Sequence, residues 1–399
     1  MIDAAPLAMF LTTFIALIAG YPVALTLAGV ALIFALIGTV FGIFNPSDLG
    51  FAAGRLFGLV TNQTLIAIPL FVFMGVTLEK TKIAESLLSD LSSLFGQSRS
   101  GLAVTVILVG ALMAASTGIV GATVVTMSLM ALPVMLKAGY DARLATGTIS
   151  ATGTLGQIIP PSIALVLLGD VLSNAYQQAQ LNQGIFAPKS VSVGDLFAGA
   201  IVPGLCLVIL YLLYVYTNIL LSKNKIDSKQ ASDQKFNVFS LLASLAPPLL
   251  LIFAVLGSII LGYATPTEAA GIGAAGAILI GIATKRLEFS TIKAISESTL
   301  STTGMVFFIL IGASIFSLVF RGFGGDEQIQ GFFDAMPGGV TTALVVVMVV
   351  IFLLGFILDF IEITFVVVPI VGPVLLAMGV DPIWLGVVIA INLQTSFLT

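Results

Sequence analysis

The chain of 399 residues contains no histidine and one cysteine, and only 9% of its residues are charged. Without histidine there is no imidazole for general-base catalysis, metal ligation or a proton relay, so any coupling ion must be held by oxygen. The one cysteine, Cys206, lies in an apolar run; it excludes an intramolecular disulfide, offers no metal-type spacing, and reads as a packing residue. A formal net charge of −4 and a pI of about 4.8 leave no basic surface for nucleic acid. No Walker motif is present, so energy from nucleotide hydrolysis would have to come from another chain. The lack of histidine and of a Gly-x-Ser-x-Gly elbow also argues against an intramembrane hydrolase.

What the chain has in quantity is apolar sequence: 58% of residues are hydrophobic and the mean hydropathy is +1.17. That composition belongs to an all-α polytopic membrane protein. The first apolar segment, from Pro6, lacks a basic n-region and runs into a second span after Gly20-Tyr21-Pro22, so it is expected to be retained rather than cleaved. At about 20 residues per crossing, spans fall near 5–20, 22–43, 62–79, 143–168, 197–221, 238–262, 267–284, 300–320 and 383–399.

Two stretches, 101–136 and 339–374, are too long for one crossing. As a straight helix the first would run about 54 Å, against a hydrocarbon core of about 30 Å. It must fold back. If both are hairpins and the N-terminus is outside, all but Arg55, Lys189 and Arg321 of the 15 basic residues fall inside. The opposite orientation reverses that distribution. The two hairpins then enter from opposite faces.

An internal repeat agrees with this. Pro133, Gly139 and Asp141 recur 240 residues later as Pro373, Gly379 and Asp381, and Gly20-Tyr21 and Gly29 recur as Gly262-Tyr263 and Gly271. Interrupted hydrophobic segments at matching places in two halves are a sequence pointer to a transport site. The reading is two inverted-topology repeats with re-entrant hairpins and broken helices. The first spans 1–222 (hairpin about 101–136, broken helix about 143–168), a cytoplasmic connector covers 223–236, and the second spans 237–399 (hairpin about 339–374, broken helix from about 383). Thr399 answers to Ile159, one place before the equivalent of Pro160, and the final span is short, so the C-terminus is expected to be truncated. Amphipathic stretches at 83–95 and 288–298 read as interfacial helices or connecting loops.

Candidate chemistry lies at the interruptions. Thr152 to Pro161 ends in two prolines, which free the carbonyls of Gly156 and Gln157 as hard oxygen ligands suited to sodium; the plainer reading is a proline kink. Ser116 and Thr117, in Ala115-Ser116-Thr117-Gly118, either face Gly156 and complete an ion cage or make a small-residue helix contact. Asp359 and Glu362, three apart, would share a helix face within the second hairpin, where acidic groups usually face a cavity or an ion. Asn392, Gln394, Thr395 and Thr399 supply further oxygens. Glu268 reads as part of a helix cap with Thr267 as the capping side chain, and Gly271-x-Gly273-x-x-Gly276 as close helix packing rather than a dinucleotide fingerprint.

At these residues the sequence resembles the large membrane subunit, the M or DctM-type permease, of tripartite ATP-independent periplasmic (TRAP) transporters. The motifs are Ile66-Ala67-Ile68-Pro69-Leu70-Phe71, Gly139-Tyr140-Asp141 through Gly156-Gln157-Ile158-Ile159-Pro160-Pro161-Ser162, Gly194-Asp195-Leu196-Phe197-Ala198-Gly199-Ala200, Thr265-Pro266-Thr267-Glu268-Ala269 and Asn392-Leu393-Gln394-Thr395-Ser396-Phe397-Leu398-Thr399. The resemblance implies an elevator-type secondary transporter, like others of the ion-transporter superfamily, in the bacterial inner membrane, where the charge distribution above places the N-terminus on the periplasmic side. It implies no enzyme activity and no cofactor beyond sodium as coupling ion. The implied partners are a small membrane subunit of the Q type, a periplasmic substrate-binding protein and a small organic anion, a carboxylate or sugar acid. It also implies one sodium site at Ser116, Thr117, Gly156, Ile159 and Pro161, and an ion or substrate region at Asp359, Thr364, Asn392, Thr395 and Thr399. The alternative is a proton-coupled carboxylate carrier working alone, titrating Asp359, Glu362 or Glu268.

Overall fold

The computed structural model describes residues 4–81, 83, 86–88, 90–91, 100–118, 120–221 and 238–396, and among these the only regular structure is helical. The connector at 223–236 and most of 83–95 lie outside the described residues. In chain order the helices are α1 (Ala5–Ile18), α2 (Val23–Val40), α3 (Phe51–Thr61), α4 (Ala67–Lys80), α5 (Gly101–Thr117), α6 (Val120–Lys137), α7 (Ala142–Thr154) and α8 (Ile163–Asn182). There follow α9 (Val193–Leu221), α10 (Val238–Ile260), α11 (Pro266–Ala283), α12 (Phe289–Gly322), α13 (Gly325–Asp334), α14 (Gly339–Leu354), α15 (Phe360–Ala377) and α16 (Pro382–Ser396).

The repeated motif builds the same local structure twice. α6 carries Pro133 and ends at Gly139 with φ +86°; the N–H groups of Gly139 and Tyr140 donate to the carbonyls of Leu136 and Met135. α15 carries Pro373 and ends at Gly379 with φ +93°, and Gly379 and Val380 donate to Leu376 and Leu375 in the same pattern. Both are Schellman closures, which need a left-handed residue that glycine supplies without strain. The aspartate two residues on then starts the next helix: Asp141 accepts from Arg143 and Leu144, Asp381 from Trp384.

The chain forms two compact units that each gather distant segments: one takes the chain up to Leu65, Leu167–Ser192 and Thr302–Ser396, the other Ile66–Val166 and Val193–Ser301. Small residues set the packing inside the second. A side chain at Gly273 would strike Met74 of α4, one at Gly276 would strike Leu251 of α10, and Gly110 and Gly153 admit Thr152 and Val124 in the same way. The Gly271-x-Gly273-x-x-Gly276 run is therefore a packing surface of α11. Thr265, not Thr267, is the N-cap there: its hydroxyl accepts from Glu268 N–H at 3.3 Å, and Glu268 accepts from Thr265 N–H at 2.8 Å. In the first unit Gly312 of α12 lies against the Ala24 backbone, Gly372 of α15 against Ala175, and the Gln183 amide ties the end of α8 to Ala377 O at 2.7 Å.

Six helices among the described residues are long and apolar enough to cross a membrane. Their outward faces are apolar: Leu25, Ile33 and Leu36 on α2 and Val202, Leu205 and Ile209 on α9 are exposed, as lipid-facing side chains must be. Cys206 is on that exposed surface of α9 and is not a core packing residue. The stretch 288–298 is no separate interfacial helix. It is the start of α12, whose 34 residues run on to Gly322, about 51 Å at 1.5 Å per residue.

Candidate functional site

In the second unit, the end of α5 meets the interruption between α7 and α8. α5 stops at Gly118, with φ +61°, whose N–H donates to Ala114 O at 3.2 Å. α7 passes into a single 3-10 turn, Leu155–Gln157, and then into non-helical backbone with a cis Pro160–Pro161 peptide before α8 begins. The two interruptions touch. A Cβ at Gly156 would lie 3.3 Å from the Ala114 carbonyl oxygen, and one at Gly118 would lie 3.1 Å from Ile163. Ile159 packs beside Gly204 of α9, and Pro161 is buried. Only the backbone of Ser116 and Thr117 is described; it forms the last turn of α5.

The hydrogen bonds around the break show which oxygens remain available. The hydroxyls of Thr152 and Thr154 bond back to Thr148 and Ala151 of their own helix. Of the two carbonyls released by the prolines, that of Gln157 is taken by Ser162 Oγ at 2.8 Å, whose oxygen in turn caps the N–H of Leu165. The Gly156 carbonyl receives no donor among the described residues. Gln157 itself is fully buried, with both side-chain amide atoms unpartnered. Leaving a buried polar atom unmade costs about 1–3 kcal/mol, so an amide kept there points to a group that arrives from outside the chain. Sequence reading took Gln157 for its backbone only, although a polar side chain inside a proline break was the signal.

In the first unit, α14 ends at Leu354 and the chain turns through 355–359 into α15. Asp359 is the N-cap of α15: its Oδ1 accepts from Phe360 N–H at 2.7 Å, and Glu362 accepts from Asp359 N–H at 3.2 Å. The pair forms a capping box, so the two carboxylates close a helix end. A π-helical turn follows at Ile363–Val367, and in it Thr364 is fully buried with its hydroxyl unpartnered. Such turns occur often at functional sites. Asn392 donates to Met348 O at 2.7 Å and ties α16 to α14; Thr395 Oγ bonds back to Asn392 O at 2.7 Å. Thr399 lies outside the described residues.

Two broken elements, each with a buried polar side chain lacking a partner, stand in a multi-pass helical membrane protein. Residues 10–399 match the family described as tripartite ATP-independent periplasmic transporter, DctM component. The chain belongs to this DctM family. Among its relatives, a C4-dicarboxylate TRAP transporter large permease protein of Pseudomonas aeruginosa is 28% identical over 90% of this chain and 79% of its own length. A sialic acid TRAP large permease of Vibrio cholerae is 26% identical, covering 96% and 84%, and an ectoine TRAP large permease of Halomonas elongata 26%, covering 84% and 74%. These relatives are permeases and not enzymes. YdaH of Alcanivorax borkumensis shares the fold, with a TM-score of 0.62 at 16% identity over 89% of this chain and 79% of that one. MtrF of Neisseria gonorrhoeae does so at 0.56 and 14%, over 88% and 73%.

Proposed function

We propose that this DctM-family chain carries out sodium-coupled uptake of a small organic anion, of the carboxylate or sugar-acid class, across the inner membrane by an elevator mechanism. Its N-terminus is periplasmic, the two sequence halves are inverted repeats, a small membrane subunit accompanies it, and a periplasmic binding protein delivers the cargo. The cargoes in the relatives' names, C4-dicarboxylates, sialic acid and ectoine, all carry a carboxylate.

The observation that carries the coupling reading is the contact between the α5 end and the break after α7, where the Gly156 carbonyl and the Gln157 amide have no partner among the described residues. A cation of the size and hardness of sodium takes carbonyl and hydroxyl oxygens, and the Ser116 and Thr117 backbone ends beside them. In this reading Gly156, Ile159 and Pro161 shape the cage, and Thr364 serves the second region. Proton coupling through Asp359 and Glu362 is not needed to account for these residues, because the capping box gives both a structural role.

The test is uptake into proteoliposomes containing the permease and its small subunit, with the binding protein outside. Uptake should need a sodium gradient and the binding protein, and Gly156→Leu should abolish the sodium dependence. Uptake driven equally well by a proton gradient without sodium would overturn the proposal.

A further inference from the structure

A second polar site lies in the first unit, in a cavity whose wall includes Phe365 and Pro369 of α15. α8 and α12 each present a polar stripe: Asp170, Asn174 and Gln178 at four-residue spacing on α8, and Ser314, Ser317 and Arg321 at three- and four-residue spacing on α12. Such spacings place each set on one helix face. Both faces, with Arg55 of α3, line a single cavity of about 390 Å³.

The charges in that cavity are unevenly satisfied. Asp170 accepts from Asn62 Nδ2 at 2.9 Å, and the Asn62 carbonyl is itself fixed by Thr64 N–H at 2.9 Å. Arg321 pairs with Asp326 at 3.2 Å. Arg55 has no carboxylate within ion-pair distance among the described residues; burial, and after it the neighbouring Arg321, disfavour its charge, and the more distant Asp326 opposes them only in part. A half-buried guanidinium left in this state is a receptor for an anion, because a carboxylate supplies the bidentate acceptor that its fork lacks. Arg55 and Arg321 are also two of the three basic residues that the charge distribution along the sequence leaves on the opposite side from all the others.

We infer that this cavity is a vestibule that binds the carboxylate of the cargo through Arg55 and Arg321 before transport, with the Asn174 amide and the Ser317 hydroxyl in its wall for the cargo's other polar groups. The inference rests on the organic-anion reading of the function but needs no sodium.

The experiment is equilibrium binding of radiolabelled succinate, used as a plain carboxylate probe, to the full chain in nanodiscs with sodium or choline as the cation. Thermal stabilisation by sodium is measured on the same samples. Binding in choline should be present, weaken as ionic strength rises, and fall by about tenfold or more in Arg55→Gln. Arg55→Lys should retain part of it, and Lys189→Gln all of it. Wild-type binding that is absent in choline, or unchanged in an Arg55→Gln protein that melts normally, overturns the vestibule while leaving the sodium response to speak for the coupling site. Arg55-dependent binding without any stabilisation by sodium would support the vestibule and count against sodium coupling alone.

Discussion

The two helix pairs α5–α6 and α14–α15 end in matching Schellman closures but turn back by different means. The first turns at Gly118, whose φ of +61° is a backbone requirement, and its end abuts the break before α8. The second turns through 355–359 with Gly355 at φ −64°, and here the requirement is space: a side chain at Gly355 would strike Ser396 of α16. Its return helix starts on two acidic residues locked in a capping box, where the first return helix has none in its opening turn. The helix exits match because they depend on local backbone bonds, while the turns differ with what packs against them.

The difference can be tested by substitution, the largest effect first. Gly118→Val should destabilise by about 2–4 kcal/mol, combining the left-handed penalty with crowding against Ile163, whereas Gly355→Ala should be largely rescued by Ser396→Gly; thermal melts in detergent separate the two. If Gly355→Ala is not rescued, the second turn is not limited by space.

The unpartnered polar groups should behave alike in both units. Gln157→Leu and Thr364→Val each remove buried polar atoms that have no partner, so each should leave stability unchanged or raise it by about 1–2 kcal/mol while lowering transport. A loss of stability in either would show that the chain satisfies that group itself. For the capping box, Asp359→Ala should cost about 1 kcal/mol and Asp359→Asn much less, since asparagine caps equally well. Near-normal uptake by Asp359→Asn would remove proton coupling through that carboxylate. The smallest effect sharpens the resemblance between the exits: Gly139→Ala and Gly379→Ala should each cost about 1 kcal/mol and agree closely.

Much of the helical order was legible in the sequence because spans of apolar residues and glycine-terminated exits are local signals. The reading failed where a polar residue is satisfied from far along the chain. The span read at 143–168 stops short: α8 continues through Asp170, Asn174 and Gln178 to Asn182, with Asp170 held by Asn62, 108 residues earlier. The stretch 288–298 differs for a local reason: its exposed Lys293 and Glu297 pair at 3.8 Å, one turn apart, on a helix that carries on into the apolar segment.

By itself the sequence determined the membrane class, the interruptions and the twice-used Pro-Gly-Asp exit, because hydropathy and backbone permissiveness act over a few residues. Only the tertiary structure decided which of the freed oxygens stay free. Ser162 takes the Gln157 carbonyl, Asp359 and Glu362 cap a helix, and Arg55 faces a cavity without an ion pair among the described residues. Partnership between polar groups depends on distances across the fold, and no spacing along the chain encodes them.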